Sequence, residues 1–245
     1  MALYAVGDIH GHLDKLDRAL ELIGRDGGAS AEVIFVGDYV DRGPDTRGVI
    51  QRLVDGKAAG RPWTFLKGNH DRLMEWFFED VPRHDPHLIM GHHWLHEQIG
   101  GEATLASYDV EVPKQARMGE LSRAARPKIP TEHLAFLRDL EVSRQVGDLL
   151  FVHAGIRPGV PLADQTEEDM IWIRGEFLSS TVTHPHLVVH GHSPIQFPRH
   201  HGNRVPIDGG AAFGRDVVPV AFEGLQAFAL TEDGRVPLEP DDSHA

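Results

Sequence analysis

Three short stretches, Gly7-Asp8-Ile9-His10-Gly11, Gly37-Asp38-Tyr39-Val40-Asp41-Arg42-Gly43 and Gly68-Asn69-His70-Asp71, follow one another at intervals of about thirty residues, each after an apolar run of strand length. Residues just past the carboxyl ends of neighbouring parallel strands share one edge of a sheet. The pattern therefore brings Asp, His and Asn side chains together from scattered sequence, and a metal site can be assembled this way. It also requires β-loop-α units in series, with the chemistry carried by the loops.

The rest of the chain can be read around that frame. Residues 3–7, 33–36 and 63–66 read as buried strands, while Leu13, Leu16, Leu20 and Ile23 fall at helical spacing. Further helices are expected to begin at Thr46 and Leu73. Between 81 and 130 the periodicity weakens and Pro, Gly and His accumulate, with a short helix expected over 94–99. We read this stretch as an insertion that covers the site and shapes a substrate groove within a single domain spanning 1–235. Thr131 is placed to cap a helix over 131–140, and Gly147-Asp148 to turn a hairpin between strands 141–146 and 149–153. His153-Ala154-Gly155 and His190-Gly191-His192-Ser193 again follow apolar runs. Strands at 205–208, 217–222 and 225–231 are expected to be antiparallel members of a second sheet, and 236–245 to form a flexible tail.

Composition narrows the chemistry. With no cysteine, disulfides, thiolate nucleophiles and Cys-based zinc sites are all excluded, so any metal sits on His, Asp, Asn or Glu. A formal net charge of −13 argues against nucleic-acid binding, which depends on clustered Lys and Arg. No apolar stretch approaches the roughly 20 residues of a membrane span, and the N-terminus runs directly into the first motif, so a cytoplasmic location is expected. Of the 17 histidines, His84, His87, His92, His93 and His96 cluster in the insertion and read as surface or groove residues. His12 reads as a helix N-terminal residue, and His190 and Asp208 as neighbours able to orient a ligand.

A binuclear site needs one ligand that bridges two ions, terminal ligands on each, and open positions for water and phosphate. Asp38 is the natural bridge. The order and wording of the five motifs resemble the calcineurin-like metallophosphoesterases, and the string from Gly37 to Gly43 most closely resembles the phosphoprotein phosphatase family of Ser/Thr phosphatases with their bacterial and phage relatives. The resemblance implies an α/β fold, with a central β-sandwich of mixed sheets flanked by helices. It also implies two divalent ions, one held by Asp8, His10 and Asp38, the other by Asp38, Asn69, His153 and His192. Such donors suit Mn²⁺, Fe or Zn²⁺; Mn²⁺ is carried over from bacterial relatives.

Phosphate-ester hydrolysis asks for a nucleophile, a clamp and a proton donor. Two metals lower the pKa of a bridging water, so solvent is the expected nucleophile. Arg42 and Arg174 are the clamp candidates, because guanidinium offers a planar fork to phosphate oxygens; Asn69 also faces the phosphate, and Arg174 has a competing structural pairing with Glu168 or Glu176. His70 is the expected general acid, with Asp41 fixing its tautomer, and the resemblance assigns the same pair. The third motif ends in Asp71 where eukaryotic relatives carry Glu, which points to a compact bacterial-type enzyme. The expected substrate is a phosphorylated protein, on Ser or Thr and also Tyr, or a small phosphate ester. The alternative is a symmetrical dinucleoside-tetraphosphate hydrolase, whose second motif commonly lacks an Asp at the place of Asp41. A non-catalytic binding module would have lost a ligand or His70, and none is missing.

Overall fold

The computed structural model describes residues 2–241. Strand β1 (Leu3–Val6) leads into helix α1 (Leu13–Gly27), β2 (Glu32–Phe35) into α2 (Thr46–Ala58), and β3 (Trp63–Phe65) into α3 (Asn69–Phe77). α4 (Gly101–Ser107), α5 (Met118–Ala125) and α6 (Thr131–Arg138) follow, then the hairpin of β4 (Ser143–Val146) and β5 (Leu149–Val152). After the short helices α7 (Glu167–Trp172) and α8 (Gly175–Leu178) come β6 (Leu187–His190), β7 (Arg204–Pro206), β8 (Val220–Glu223), β9 (Gln226–Thr231) and β10 (Gly234–Leu238).

Among the described residues the strands form two sheets. One is six-stranded in the order β10-β9-β8-β1-β2-β3, and the other four-stranded in the order β4-β5-β6-β7. β1, β2 and β3 are mutually parallel, as are β5, β6 and β7. Every residue of β1, β5 and β6 is buried, because both faces of each strand are covered. Leu3 and Ala5 of β1 meet Phe151, Val189 and Val205 of the other sheet, and Tyr4 and Val6 pack outward with Leu16, Ala19 and Ile23 of α1. Leu150, Val152 and Val188 form a third layer against Met170, Ile171 and Phe177 from α7 and α8. The period-2 alternation thus divides each apolar run between a sheet-sheet core and a sheet-helix core. The mixed α/β sandwich expected from the sequence is the architecture observed.

Several local readings differ. The strand expected at 205–208 pairs in parallel with β6, whereas β8 joins β1 antiparallel and extends the first sheet. Residues 94–99 form turns, and the helix begins only at Gly101, where Gly100 is left-handed at φ 91°. Thr131 is the first helical residue after Pro130 and makes no side-chain cap. The tail expected from 236 starts as an edge strand, with Val236 opposite Ala229 and Leu238 opposite Ala227; residues 242–245 lie outside the described residues. Leu88, Trp94, Leu95, Leu105, Tyr108 and Leu121 of the 81–130 stretch are buried in the same core as α1 and α2, so this stretch contributes to the interior as well as to the surface.

Candidate metal centre

The motifs follow the carboxyl ends of the two parallel strand triplets. Asp8, Asp38 and Asn69 come after β1, β2 and β3, and His153, His192 and Asp208 after β5, β6 and β7. Six non-glycine residues among those described have left-handed φ, and five of them are His10 (47°), Asp38 (55°), Asp41 (73°), Arg42 (68°) and His192 (63°). Such backbone is sparsely populated and costs about 1–3 kcal/mol per residue, so it persists where the surroundings over-determine it. Two glycines let the carboxylates in. A Cβ at Gly68 would collide with Asp38 Oδ1, and one at Gly191 with Asp8 Oδ1.

Asp38 sits at the middle of the cluster. Its Oδ2 lies 3.5 Å from His10 Nε2 and 3.5 Å from His153 Nε2, and its Oδ1 accepts the His70 N–H at 3.0 Å. His10 Nδ1–H donates to the Val40 carbonyl at 2.8 Å, and His153 Nδ1–H to that of Val36 at 2.9 Å. Both rings are thereby fixed as the tautomer that turns an Nε2 lone pair towards Asp38. His153 Nε2 also lies 3.1 Å from Asn69 Oδ1, and His192 Nε2 is buried with no hydrogen-bond partner. Asp8 accepts the His192 N–H at 3.1 Å.

Burial lowers the affinity of His10, His153 and His192 for a proton, and neighbouring histidines add to the effect, leaving neutral imidazoles able to ligate. Burial also works to raise Asp38, but the surrounding histidines, His153 foremost, outweigh it and hold the carboxyl below its usual range. Burial, with Asp208 and Asp38 nearby, pushes Asp8 well upward, and burial moves Asp208 up to about 6. Crowded carboxylates facing neutral imidazole lone pairs are the donor set expected for divalent cations. His10, Asp38 and His70 form one group of ligand atoms within 4.8 Å of one another, and Asp38, His153 and His192 another, with Asp38 common to both. Each group could hold a metal ion; Asp8 lines the same pocket, but His70 stands in the first group where the resemblance implied Asp8.

The His70-Asp41 pair lies beside this centre. His70 Nδ1–H donates to Asp41 Oδ2 at 2.7 Å, with both residues buried. The Arg42 guanidinium donates to His10 Nε2 at 3.3 Å and His70 Nε2 at 3.1 Å, and lies 5.9 Å from the Phe213 ring centre. Arg42, Arg174, His70 and His192 line one cavity of about 120 Å³, with Phe213, 65% exposed, at its mouth. Among the described residues Arg174 makes no ion pair, because Glu168 pairs with Arg72 and Glu176 with Arg157. The pairing considered for Arg174 from the sequence does not form.

Other expectations fall outside the cavity. His12 occupies the cap position of α1, and His190 packs edge-on to Phe177. His87 stacks on Trp172, whose ring centre lies 6.1 Å from that of His192, and His92 stacks on His96. Asp71, noted in the sequence only as a replacement for Glu, accepts the N–H groups of Asp38, Tyr39 and Gly68 at 2.8, 2.9 and 2.8 Å. It ties the second motif to the third, and the signal for that role was its place three residues after Gly68 at a helix start.

The chain matches the Calcineurin-like phosphoesterase family over residues 1–218 and belongs to that family. Similar proteins include a symmetrical bis(5′-nucleosyl)-tetraphosphatase of Acidovorax sp., 33% identical over 163 residues. That match covers 64% of this chain and 45% of the relative, so the chain spans about half the length of that protein. An asymmetrical bis(5′-nucleosyl)-tetraphosphatase of Oceanobacillus iheyensis is 26% identical, with 91% of this chain and 89% of the relative covered. A crystal structure named for a diadenosine tetraphosphatase superposes with a TM-score of 0.64 at 21% identity, covering 98% of this chain and 95% of the other. The cold-active protein-tyrosine phosphatase of a Shewanella species superposes at 0.62 and 16% identity, covering 97% and 80%. At these identities the two structures speak for the fold alone. No helix among the described residues is long and apolar enough to cross a membrane.

Proposed function

We propose that this phosphoesterase is a dinuclear metal-dependent hydrolase that cleaves bis(5′-nucleosyl) tetraphosphates or closely related small phosphate compounds in the cytoplasm. The observation that carries the dinuclear reading is the position of Asp38 Oδ2, 3.5 Å from the Nε2 atoms of both His10 and His153. Asp8, His10 and Asp38 would hold one ion, and Asp38, Asn69, His153 and His192 the other. Mn²⁺ is the ion proposed, and the same donors accept Fe or Zn²⁺. When bound, two such ions lower the pKa of water and offset charge on the phosphoryl group.

Arg42 and Arg174 face the cavity from distant parts of the sequence, and their guanidinium forks match phosphoryl oxygens. Once Arg42 turns from His70 Nε2 to the phosphoryl oxygens, His70, oriented by Asp41, would carry a proton taken from solvent on Nε2 and pass it to the departing oxygen. The substrate class is supported by the relatives named above, one of which aligns along nearly the whole chain. A second reading, the phosphoprotein phosphatase expected from the second motif, is favoured by the intact His70-Asp41 pair. A departing hydroxyl of high pKa gains more from a placed acid than a departing nucleotide phosphate does.

The test is parallel turnover of Mn²⁺-reconstituted protein on diadenosine tetraphosphate and on phosphoserine, phosphothreonine and phosphotyrosine peptides, with a chelator control. Preference for the dinucleotide supports the proposal, and its products give the position of cleavage: two ADP, or AMP with ATP. Preference for peptides overturns the substrate assignment in favour of the second reading.

A further inference from the structure

The turn carrying Asp41 and Arg42 is held from outside its own motif. Both residues are left-handed, a conformation that non-glycine residues rarely adopt, and two in succession need external support. The support comes from residues 94–104. Trp94 Nε1–H donates to Asp41 Oδ1 and Oδ2, at 3.0 Å each. The Thr104 hydroxyl donates to Asp41 Oδ1 at 2.8 Å, and its oxygen accepts the Asp41 N–H at 2.8 Å. Arg42 N–H donates to the Gly100 carbonyl at 3.2 Å, where the two backbones are so close that a Cβ on Gly100 would lie 2.7 Å from Arg42 N.

The side chains that meet Asp41 are shielded from solvent. Asp41 and Thr104 are fully buried, and Trp94 is 5% exposed. Thr104 is itself located by α2, its hydroxyl lying 3.1 Å from Thr46 Oγ1. Asp41 thus receives side-chain donors from three directions, namely His70, Trp94 and Thr104, and these fix the rotation of the carboxylate. Without Trp94 and Thr104, the only side chain among the described residues still directing Asp41 is the one that Asp41 is meant to direct.

We infer that Trp94 and Thr104 are positioning residues for the chemical step: they lock the Asp41 carboxylate so that Oδ2 holds the His70 ring with Nε2 towards the leaving-group oxygen. The inference rests on the reading of His70 as proton donor. Neither residue lines the cavity with His70 and Arg42, so their influence passes through Asp41. The stretch expected to cover the site therefore also takes part in setting its geometry.

The test compares Thr104→Val, Thr104→Ser and Trp94→Phe with wild type in Mn²⁺-loaded protein, using an alkyl phosphate as the poor leaving group and 4-nitrophenyl phosphate as the good one. Thr104→Val and Trp94→Phe should each lower kcat on the alkyl ester by about 10-fold or more and on the nitrophenyl ester by less than about 3-fold, with KM and metal content kept. Thr104→Ser restores the donor and should restore the rate. In a His70→Asn background, Thr104→Val should add less than about 2-fold, because both changes remove one function. Equal losses on the two esters, or full multiplication with His70→Asn, overturn the inference. His70→Asn alone separates the two levels. If it spares the alkyl ester, the proton-donor reading fails; if it discriminates between the esters while the Thr104 and Trp94 variants do not, this inference alone fails. Thr104→Val is nearly isosteric, so the comparison survives if Trp94→Phe does not fold. As a reading independent of turnover, the hydrogen-bonded His70 Nδ1–H proton in the NMR spectrum of the metal-free protein should persist in Thr104→Ser and broaden in Thr104→Val. An unchanged signal in Thr104→Val counts against the inference.

Discussion

The Asp71 carboxylate, at the start of α3, accepts the backbone N–H of Asp38 at 2.8 Å. It accepts two further N–H groups, from Tyr39 and Gly68, so one buried side chain fixes the left-handed turn on which Asp38 sits. Burial, with Asp38 nearby, raises this carboxyl to about 8, and the three donors oppose the rise. Asp71→Asn keeps the shape but replaces an acceptor oxygen by an N–H donor facing other donors. The expected loss is about 1–3 kcal/mol of stability together with weaker metal binding. Thermal unfolding and metal titration check this, and a variant with both properties intact would remove the structural role given to Asp71.

Arg174 lines the cavity and has no ion pair among the described residues. Arg174→Met should therefore leave stability within about 0.5 kcal/mol of wild type, as for a side chain outside any structural network. KM for a phosphate substrate should rise by about 10-fold or more, as expected when one charge-assisted hydrogen bond to the phosphate is removed. Steady-state kinetics beside a denaturation curve decide the matter. A variant that is less stable but keeps its KM would make Arg174 structural.

Arg72 anchors the stretch after α3. It is buried and bonded to Asp85, which is fully buried, at 2.7 Å, and to Glu168 of α7 at 2.7 Å. Removing one partner of such a pair strands a buried charge. Arg72→Ala should destabilise by about 3–5 kcal/mol, whereas Arg72→Met combined with Asp85→Leu should cost less. Urea unfolding of the single and double variants reads the difference. A double variant less stable than the single one would show that the pair contributes net stability.

Two buried histidines contribute to the pH dependence of stability with a defined sign. His133 is buried with Nε2–H donating to Gln51 Oε1 at 2.9 Å and Nδ1 accepting from the Tyr108 hydroxyl at 2.8 Å, and burial lowers its pKa from the usual 6.5. His190 is held down to about 3 by burial. At these two histidines the unfolded chain binds more protons than the folded one below about pH 6.5. Their contribution is complete above that pH and is lost as pH drops towards the folded values, by at most roughly 1.4 kcal/mol per pH unit for each such histidine, while the raised Asp71 carboxyl acts with the opposite sign. His133→Gln should make the decline between about pH 6.5 and 5 shallower. Urea midpoints across that range test this, and an unchanged slope would contradict it.

Local chemistry was the most legible part of the sequence. A Gly-Asp or Gly-Asn turn after an apolar strand is written in consecutive residues, so the loops that carry Asp8, Asp38, Asn69, His153 and His192 were all found, and they converge. Sheet membership was less legible. The apolar run at β8 has the same alternation whether it pairs with β7 or, as it does, with β1, and that choice is made by a partner at the other end of the chain. The 94–104 segment was opaque for another reason. Its Trp, Gly and Thr act through hydrogen bonds to a distant turn, which leave no periodicity in the sequence.

Asp38 must serve both ions if the centre is dinuclear. The most direct measurement is metal content per chain after Mn²⁺ reconstitution, for wild type and for Asp38→Asn, with folding verified by circular dichroism. Two ions per chain in the wild type and at most one in the folded variant is the expected result. Two ions retained in Asp38→Asn, or no more than one in the wild type, would contradict the dinuclear centre.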